Sequence, residues 1–463
     1  MISPISLTKL ADQTNGKLSG EELSFGSISI DTRTINEGDL FIAIKGESFD
    51  GHHYIKQAIN AGCCALVIND SVKLNAANTV RVEQKKSKPY LYVNDTQKAL
   101  GEVASLNRQS FSGTVFGITG SSGKTSTKNM LAAILNEKGK TCATEGNFNN
   151  EIGVPLTLLN IDASHSYAVI EMGARSKGDI CYLANFVRPD VAILLNAGSS
   201  HIDIFGSYQH IVEAKGEIFE SLSDEGVAII NVDDPAIAKW EKLTEGKRTL
   251  SFSLADINAD VYASETSCEV NGSVFNLNYA GEVQKINLPI PGEHNVLNSL
   301  AATAAALAIG FELQNIANGL AKLKPTSGRL NTTCLQQNIS VIDDSYNANP
   351  ASVKASLDVL ALRNGLKVAV LGEMGELGKH ALDLHLEVAE YGSRTSIEQF
   401  LLIGPHAEDM ALKLDGRGKT FSSKQEIFDH LCAELTGEET ILVKGSRSAG
   451  MDEIVNLLKG RFA

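Results

Sequence analysis

No run in the 463-residue sequence approaches the ~18 consecutive apolar residues of a membrane-spanning helix, so no membrane insertion is expected. The opening stretch, MISPISLTKLADQTNG, has neither a basic n-region nor an apolar h-region. A secretory signal is therefore not expected, and a cytoplasmic location is. Basic blocks are missing too, and a net charge of −14 without a compensating Lys/Arg cluster argues against a nucleic-acid partner. The seven cysteines include the neighbours Cys63 and Cys64 but no C-x-x-C, which points to neither a zinc site nor a disulfide framework. A guanine-reading N-K-x-D is also absent, against a nucleotide switch.

What is present is ordinary globular material, 43% hydrophobic and 21% charged, with ample residues for a core. The length is too great for one ordinary domain and suggests about three. The chain is organised around TVFGITGSSGKTSTKNM, residues 114–130. A strand-like run (Val115, Phe116, Ile118) is punctuated by glycines 117, 120 and 123, then Lys124 and Thr125, then a helix-like segment from Thr127 to Leu135. That order builds a phosphate-binding loop. Glycines let backbone N–H groups curl around an anion, and the helix N-terminus adds partial positive charge. Lys124 would reach the terminal phosphates and the Thr125 hydroxyl would ligate Mg²⁺. The spacing is G-x-x-G-x-x-G-K-T, with Ile118 where the strict motif has its first glycine. A glycine-rich turn with a surface lysine is the plainer reading, but the ordered flanks favour ATP or a relative on Thr119, Gly120, Ser121, Ser122, Gly123, Lys124, Thr125 and Ser126.

Around this loop the chain divides into three. Residues 1–90 carry no nucleotide motif and mix β-patterned runs with turn chemistry. Residues 91–326 read as βαβ, with buried strands at 115–118, 167–171, 191–195 and 227–231. Such alternation predicts a mostly parallel sheet whose ligand loops lie at strand C-termini. Residues 327–463 form another Rossmann-like unit, including KVAVLGEMGELG, a second glycine loop without Lys-Thr. The fold class is therefore α/β in three domains: a smaller N-terminal α/β domain, a central P-loop domain and a C-terminal Rossmann-like domain.

Several further residues have two readings each. Asp31, Thr32 and Arg33 either satisfy a turn or contact a ligand, and the turn is the plainer account. His52 and His53 read as solvated loop imidazoles. Asn147, Asn149 and Asn150 form turns or line a ligand, ahead of a helix beginning near Pro155. Glu171 ends a strand, as a Mg²⁺ ligand would and as many charged residues do. His201 stands in a loop, and Mg²⁺ prefers oxygen to imidazole. Lys215 falls on the same helical face as Ile211, Ile218, Phe219 and Leu222. It is either a snorkelling lysine or a partly buried amine of lowered pKa. Asn295 and Asn298 either cap a helix or read a base. Ser446 or Ser448 could cap the last helix.

Taken together, TGSSGKTS, EGNFNNEIGVPLTLL, AKGEIF, GEHNVLNSLAA, DDSYNANP and VKGSRSAGM resemble the Mur ligases, over essentially the whole length. The resemblance implies a three-domain ATP-dependent ligase. It would join D-alanyl-D-alanine to UDP-N-acetylmuramoyl-tripeptide through an acyl phosphate, in peptidoglycan precursor synthesis. No D-N-P-R motif of the diaminopimelate-adding branch is present, which favours a dipeptide acceptor. It also implies roles. Thr125 and Glu171 would bind one Mg²⁺, and His201 with a carbamylated Lys215 would help hold a second. Asn295 would contact adenine, while Arg329 and Asp344 would reach the nucleotide from the domain junction. Asp31, Thr32 and Arg33 would belong to the uridine region. Asn147, Asn149 and Asn150 would lie along the muramoyl peptide. Tyr346, Asn349, Lys444, Ser446, Arg447 and the 372–378 loop would lie around the acceptor. A monomer is expected. A folylpolyglutamate-synthase-like ligase and a P-loop binding protein are the alternatives, and phosphate release requiring both substrates separates them.

Overall fold

The computed structural model describes residues 1–46, 49–69, 71, 88–198 and 201–462. Among them, three large sheets follow one another along the chain. The first has five strands, in the order Lys17–Ser19, Tyr90–Val93, Ala65–Asn69, Leu40–Ile42 and Ile28–Ser29. Only its first pair is antiparallel.

The second sheet has nine strands and holds the phosphate loop at its centre. The loop's own strand, Thr114–Thr119, lies between Tyr167–Glu171 and Val191–Leu194, parallel to both. These strands are buried on both faces by flanking helices, which is why they read as continuous apolar runs rather than alternating ones. The sheet continues in parallel through Val227–Asn231, Arg248–Ser253 and Val261–Glu269 and then turns antiparallel. Period-two burial marks that change: Ser273, Phe275 and Leu277 are buried while Val274 and Asn276 are half-buried.

Two helices set the loop's height above the sheet. The loop runs into helix Lys124–Leu135, three residues earlier than the sequence suggests, and its Met130, Leu131 and Ile134 are fully buried. Helix Glu293–Leu307 packs in the same core with its alanine face, Ala301, Ala302 and Ala304 to Ala306. Helix Leu313–Ala321 also packs closely on helix Lys124–Leu135, and a Cβ built on Gly319 would stand 2.5 Å from Ile134 Cα. Gly319→Ala should therefore destabilise the protein by about 1–3 kcal/mol through overpacking. An unchanged urea midpoint would contradict this packing.

The third sheet has six strands, ordered Asn331–Cys334, Ser340–Asp344, Thr440–Lys444, Lys367–Leu371, Gln399–Ile403 and Gly418–Phe421. All neighbours are parallel except the first pair. The last strand in sequence inserts between the second and the third, so the carboxyl ends carrying Asp344, Lys444 and Leu371 converge at a topological switch point.

Three local expectations are corrected, and a fourth is met closely. His52 is buried, not solvated: its Nδ1 lies 2.6 Å from Asp50 Oδ1 and its Nε2 accepts the Asn69 N–H at 2.9 Å. Gly292 is the N-cap of helix Glu293–Leu307, so Asn295 does not cap it, and the Asn295 amide instead donates to Pro291 O at 2.8 Å. Neither Ser446 nor Ser448 caps the last helix, which starts at Asp452. Their hydroxyls bond to each other at 3.1 Å, beside a short 3₁₀ turn. The helix expected near Pro155 starts at Gly153.

Candidate active site

The phosphate loop is shaped by its neighbours as much as by its glycines. Gly123 has φ +83°, and a Cβ there would sit 2.3 Å from Asn298 Oδ1, so both the backbone and the space require glycine. Asn196, just beyond strand Val191–Leu194, accepts the Ser121 and Ser122 N–H groups on Oδ1 at 3.1 and 3.0 Å. Its Nδ2 returns a bond to Ser122 O at 3.2 Å. Lys124 Nζ donates to Gly120 O at 2.7 Å and is pulled back over the loop. Burial lowers the pKa of Lys124, Glu171 opposes that shift, and Arg329 adds to it.

Oxygen ligands gather beside this cation. Thr125 Oγ1 donates to Glu171 Oε2 at 2.9 Å, and Asn149 Nδ2 donates to Glu171 Oε1 at 2.8 Å. The glutamate backbone is anchored in turn by Thr144 Oγ1, which accepts its N–H at 2.9 Å. A buried hydroxyl–carboxylate pair next to a glycine cradle suits a magnesium nucleotide, because Mg²⁺ takes hard oxygen ligands and phosphate takes the loop's N–H groups.

Lys215 lies in helix Tyr208–Glu220 and is 2% exposed. Among the described residues its ammonium has no hydrogen-bond or ion-pair partner, only the Phe205 ring centroid at 5.9 Å. Burial, and then the charge of Lys124, bring its pKa down to about 7, against the pull of Asp179 and Glu217. The snorkelling alternative is excluded by this burial. His201, with φ +60°, starts the helical turn Ile202–Phe205 and brings Nδ1 beside the Glu376 carboxylate of the third sheet's unit. Ser199 and Ser200, in the loop before it, lie outside the described residues. Burial lowers the His201 pKa while Glu376 opposes it.

The third unit supplies the facing wall. Arg329 stacks on Tyr346, its guanidinium carbon 4.4 Å from the ring centroid, and donates to Thr125 Oγ1 at 3.0 Å. Asp344 holds a buried ion pair with Lys444 at 2.5 Å and also takes the Ser356 hydroxyl at 2.5 Å. Lys444 further donates to Asn347 O at 3.1 Å. Asn349 is the cap of helix Pro350–Ala361, its side chain accepting the Ser352 N–H at 2.9 Å.

Most of these groups border one cavity of about 1420 Å³. Its lining brings together Ser121 to Ser126, Asn147, Asn149, Asn150, Glu171, His201, Lys215, Asn295, Arg329, Asp344, Tyr346, Asn349, Lys444, Ser446 and Arg447. Thr119 and Gly120 lie behind the loop, where Thr119 Oγ1 donates to Met172 O at 3.0 Å. Asp31, Thr32 and Arg33 are not in this lining. They form an exposed turn in which Arg33 clamps Asp31 and holds its carboxyl down at about 2. Sequence reading missed Asn196 and named Glu376 only as part of the 372–378 loop. The polar residue ending VAILLN was the one available sign of the first, and only the glycine loop hinted at the second.

Arg329 reaches Thr125 from another sheet, so the nucleotide loop is complete only where two units meet. A loop that merely reports on its nucleotide does not require that meeting. The arrangement defines an ATP-using enzyme that works in an interdomain cleft. Residues 24–108 match the Mur ligase family catalytic domain, 118–306 the Mur ligase middle domain and 328–447 the Mur ligase glutamate ligase domain. The UDP-N-acetylmuramoyl-tripeptide–D-alanyl-D-alanine ligase of Escherichia coli (strain K12) is 38% identical, over 99% of both chains. That of Bacillus subtilis (strain 168) is 33% identical over 97% of each. Among solved structures, MurF from Acinetobacter baumannii superposes with a TM-score of 0.91 at 33% identity, covering 99% of each chain. MurF ligase from Thermotoga maritima in complex with ADP gives 0.81 at 27% identity, covering 94% of this chain and 97% of that one. The chain belongs to the Mur ligase family.

Proposed function

We propose that the chain joins D-alanyl-D-alanine to UDP-N-acetylmuramoyl-tripeptide with ATP, giving the UDP-linked pentapeptide, ADP and phosphate in peptidoglycan precursor synthesis. The observation that carries this reading is the phosphate loop and its Thr125–Glu171 oxygen pair, sealed by Arg329, in a chain whose full-length relatives bear that name. ATP and Mg²⁺ are the cofactors of such a ligase. Magnesium would supply charge neutralisation on the transferring phosphoryl group.

Each residue then has a task. Lys124 and the loop N–H groups hold the phosphates, Thr125 and Glu171 hold the first ion, and Asn295, Arg329 and Asp344 hold the nucleoside side. Lys124 stabilises the charge that develops as the peptide carboxylate becomes an acyl phosphate. Asn147, Asn149 and Asn150 orient the peptide so that this carboxylate faces the phosphoryl group. Lys444, Ser446, Arg447, Tyr346 and Asn349 surround the acceptor amine that displaces phosphate. Closure between the units keeps water from the acyl phosphate. Carbamylated Lys215 and His201 help hold a second ion, since the carbamate turns an amine into an oxygen ligand. Residues 1–90, with Asp31, Thr32 and Arg33, bind the UDP-sugar, 91–326 the ATP and 327–463 the amino substrate, in a cytoplasmic monomer.

The test is phosphate release with a panel of amines. Release should require the UDP-tripeptide and rise with D-alanyl-D-alanine, but not with diaminopimelate, lysine or glutamate. Equal release with a single amino acid would place the chain on another branch. The fold alone is also similar to Mycobacterium tuberculosis folylpolyglutamate synthase, with a TM-score of 0.61 and 18% identity, so folate substrates belong in the panel as a negative control.

A further inference from the structure

The loop between strand Lys367–Leu371 and the 3₁₀ turn Gly378–His380 carries Glu376 to His201, and it is anchored at four points. Three anchors are backbone to backbone: the Gly372 N–H donates to Lys444 O and the Ser446 N–H to Glu373 O, both at 2.8 Å, and the Asp203 N–H donates to Glu376 O at 3.4 Å. The fourth is a side chain. His385, on helix Ala381–Ser393 and 2% exposed, accepts the Met374 N–H on Nε2 at 3.0 Å. Its Nδ1 lies 2.7 Å from Ala381 O. A carbonyl only accepts, so Nδ1 must carry the proton, which leaves Nε2 free to accept. The two partners together fix one neutral tautomer.

We propose that His385 is a positioning residue for the ligase reaction, holding the loop from Gly372 to Gly378 in the shape that presents Gly375 and Glu376 to the cavity opposite His201. This rests on the ligase reading above. Gly375 and Glu376 line the same wall as Ser446, Arg447 and Ser448, whereas among the described residues the hydrogen bonds of His385 go to Met374 and Ala381 and not to the nucleotide side of the cavity. Loss of this anchor should therefore weaken use of the acceptor amine more than use of ATP. Two titratable groups face the imidazole: His406, whose ring centroid is 4.8 Å away, and Glu373 in the loop itself. Burial lowers the pKa of the ring, with His406 acting in the same sense and the Ala381 carbonyl and Glu373 against it. Protonation would put an N–H opposite the Met374 N–H, so the anchor should fail as pH falls.

Two variants and one measurement on the unaltered enzyme test this. In H385F the ring volume is kept and the acceptor is lost. KM for D-alanyl-D-alanine should rise about tenfold, the scale of one buried hydrogen bond to an otherwise unsatisfied donor, with KM for ATP within about twofold. In H385Q, Oε1 can stand where Nε2 stood, and KM for the dipeptide should return to within about threefold of wild type. Equal shifts of both KM values in H385F, or no shift, would overturn the proposal, as would failure of H385Q to rescue. Should H385F not fold, amide hydrogen exchange at Met374 in the wild-type enzyme decides. The amide should be protected at neutral pH and lose protection on acidification before the amides of strand Lys367–Leu371 do. An unprotected Met374 at neutral pH would overturn the assignment. Because exchange needs no substrate, it also separates failure of this proposal from failure of the ligase reading, which wild-type phosphate release reports.

Discussion

Replacing Lys124 with alanine is expected to lower ligase turnover by about a thousandfold or more, the scale of removing a preorganised charge from a phosphoryl-transfer site. The expectation follows from geometry. Lys124 is the cation of the glycine loop, and its hydrogen bond to Gly120 O ties it to the loop rather than to a remote element. It is therefore in place to shift toward phosphate, and its loss removes charge without opening the core. Binding of the UDP-peptide, measured by calorimetry, should stay within about twofold because the interaction lost is made with the phosphoryl group. Arginine should not restore turnover, since its planar guanidinium does not fit a space made for a point charge. Substantial phosphate release from Lys124→Ala would remove the loop from the mechanism.

Lys215→Ala should lose most turnover, by about a hundredfold, the scale of losing a group that supports a metal ligand set. The enzyme should nevertheless fold. An ammonium at 2% exposure, with no hydrogen-bond or ion-pair partner among the described residues, contributes little to the core in its charged form, and deleting it relieves a desolvation cost. Carbamate formation needs the neutral amine, and with a pKa of about 7 that form grows as pH rises from 6 to 8. Activity in bicarbonate buffer should rise over that range, the direction opposite to that for a lysine acting as a cation. A ¹³C carbamate resonance should appear with labelled bicarbonate and be absent from the variant. Acetate should restore part of the alanine variant's rate by filling the vacated oxygen position. Arginine at 215 should not be rescued, because the space is filled and the charge is of the wrong sign. Ordinary turnover of Lys215→Ala in bicarbonate-free buffer would end the carbamate scheme.

Much of this molecule could be read locally. The phosphate loop was legible because its requirements, glycine at φ +83°, a lysine and a hydroxyl at a helix start, all fall within a few consecutive residues. The strands at 115–118, 167–171, 191–195 and 227–231 were legible because burial on both faces leaves an unbroken apolar run. Helix starts were less so. Residues 124–126, Lys-Thr-Ser, carry no apolar period from which to read the helix start.

Only tertiary structure could decide the rest. Lys215 had two readings with the same helical period, and the packing of other elements over that stripe chose between them. Asn295 had two readings as well, and Gly292 at the cap removed one. The bonds from Arg329 to Thr125 and from Asn196 to Ser121 and Ser122 link residues about 75 or more positions apart, as does the contact of Glu376 with His201. Their partners are set by which strands adjoin in a sheet and how two sheets face each other. Local composition encodes neither. A sequence written in order thus determined the elements and the phosphate loop that one element carries. The facing wall of the cleft exists only because chain segments distant in sequence bury their apolar faces together, and that burial brings their polar ends to one place.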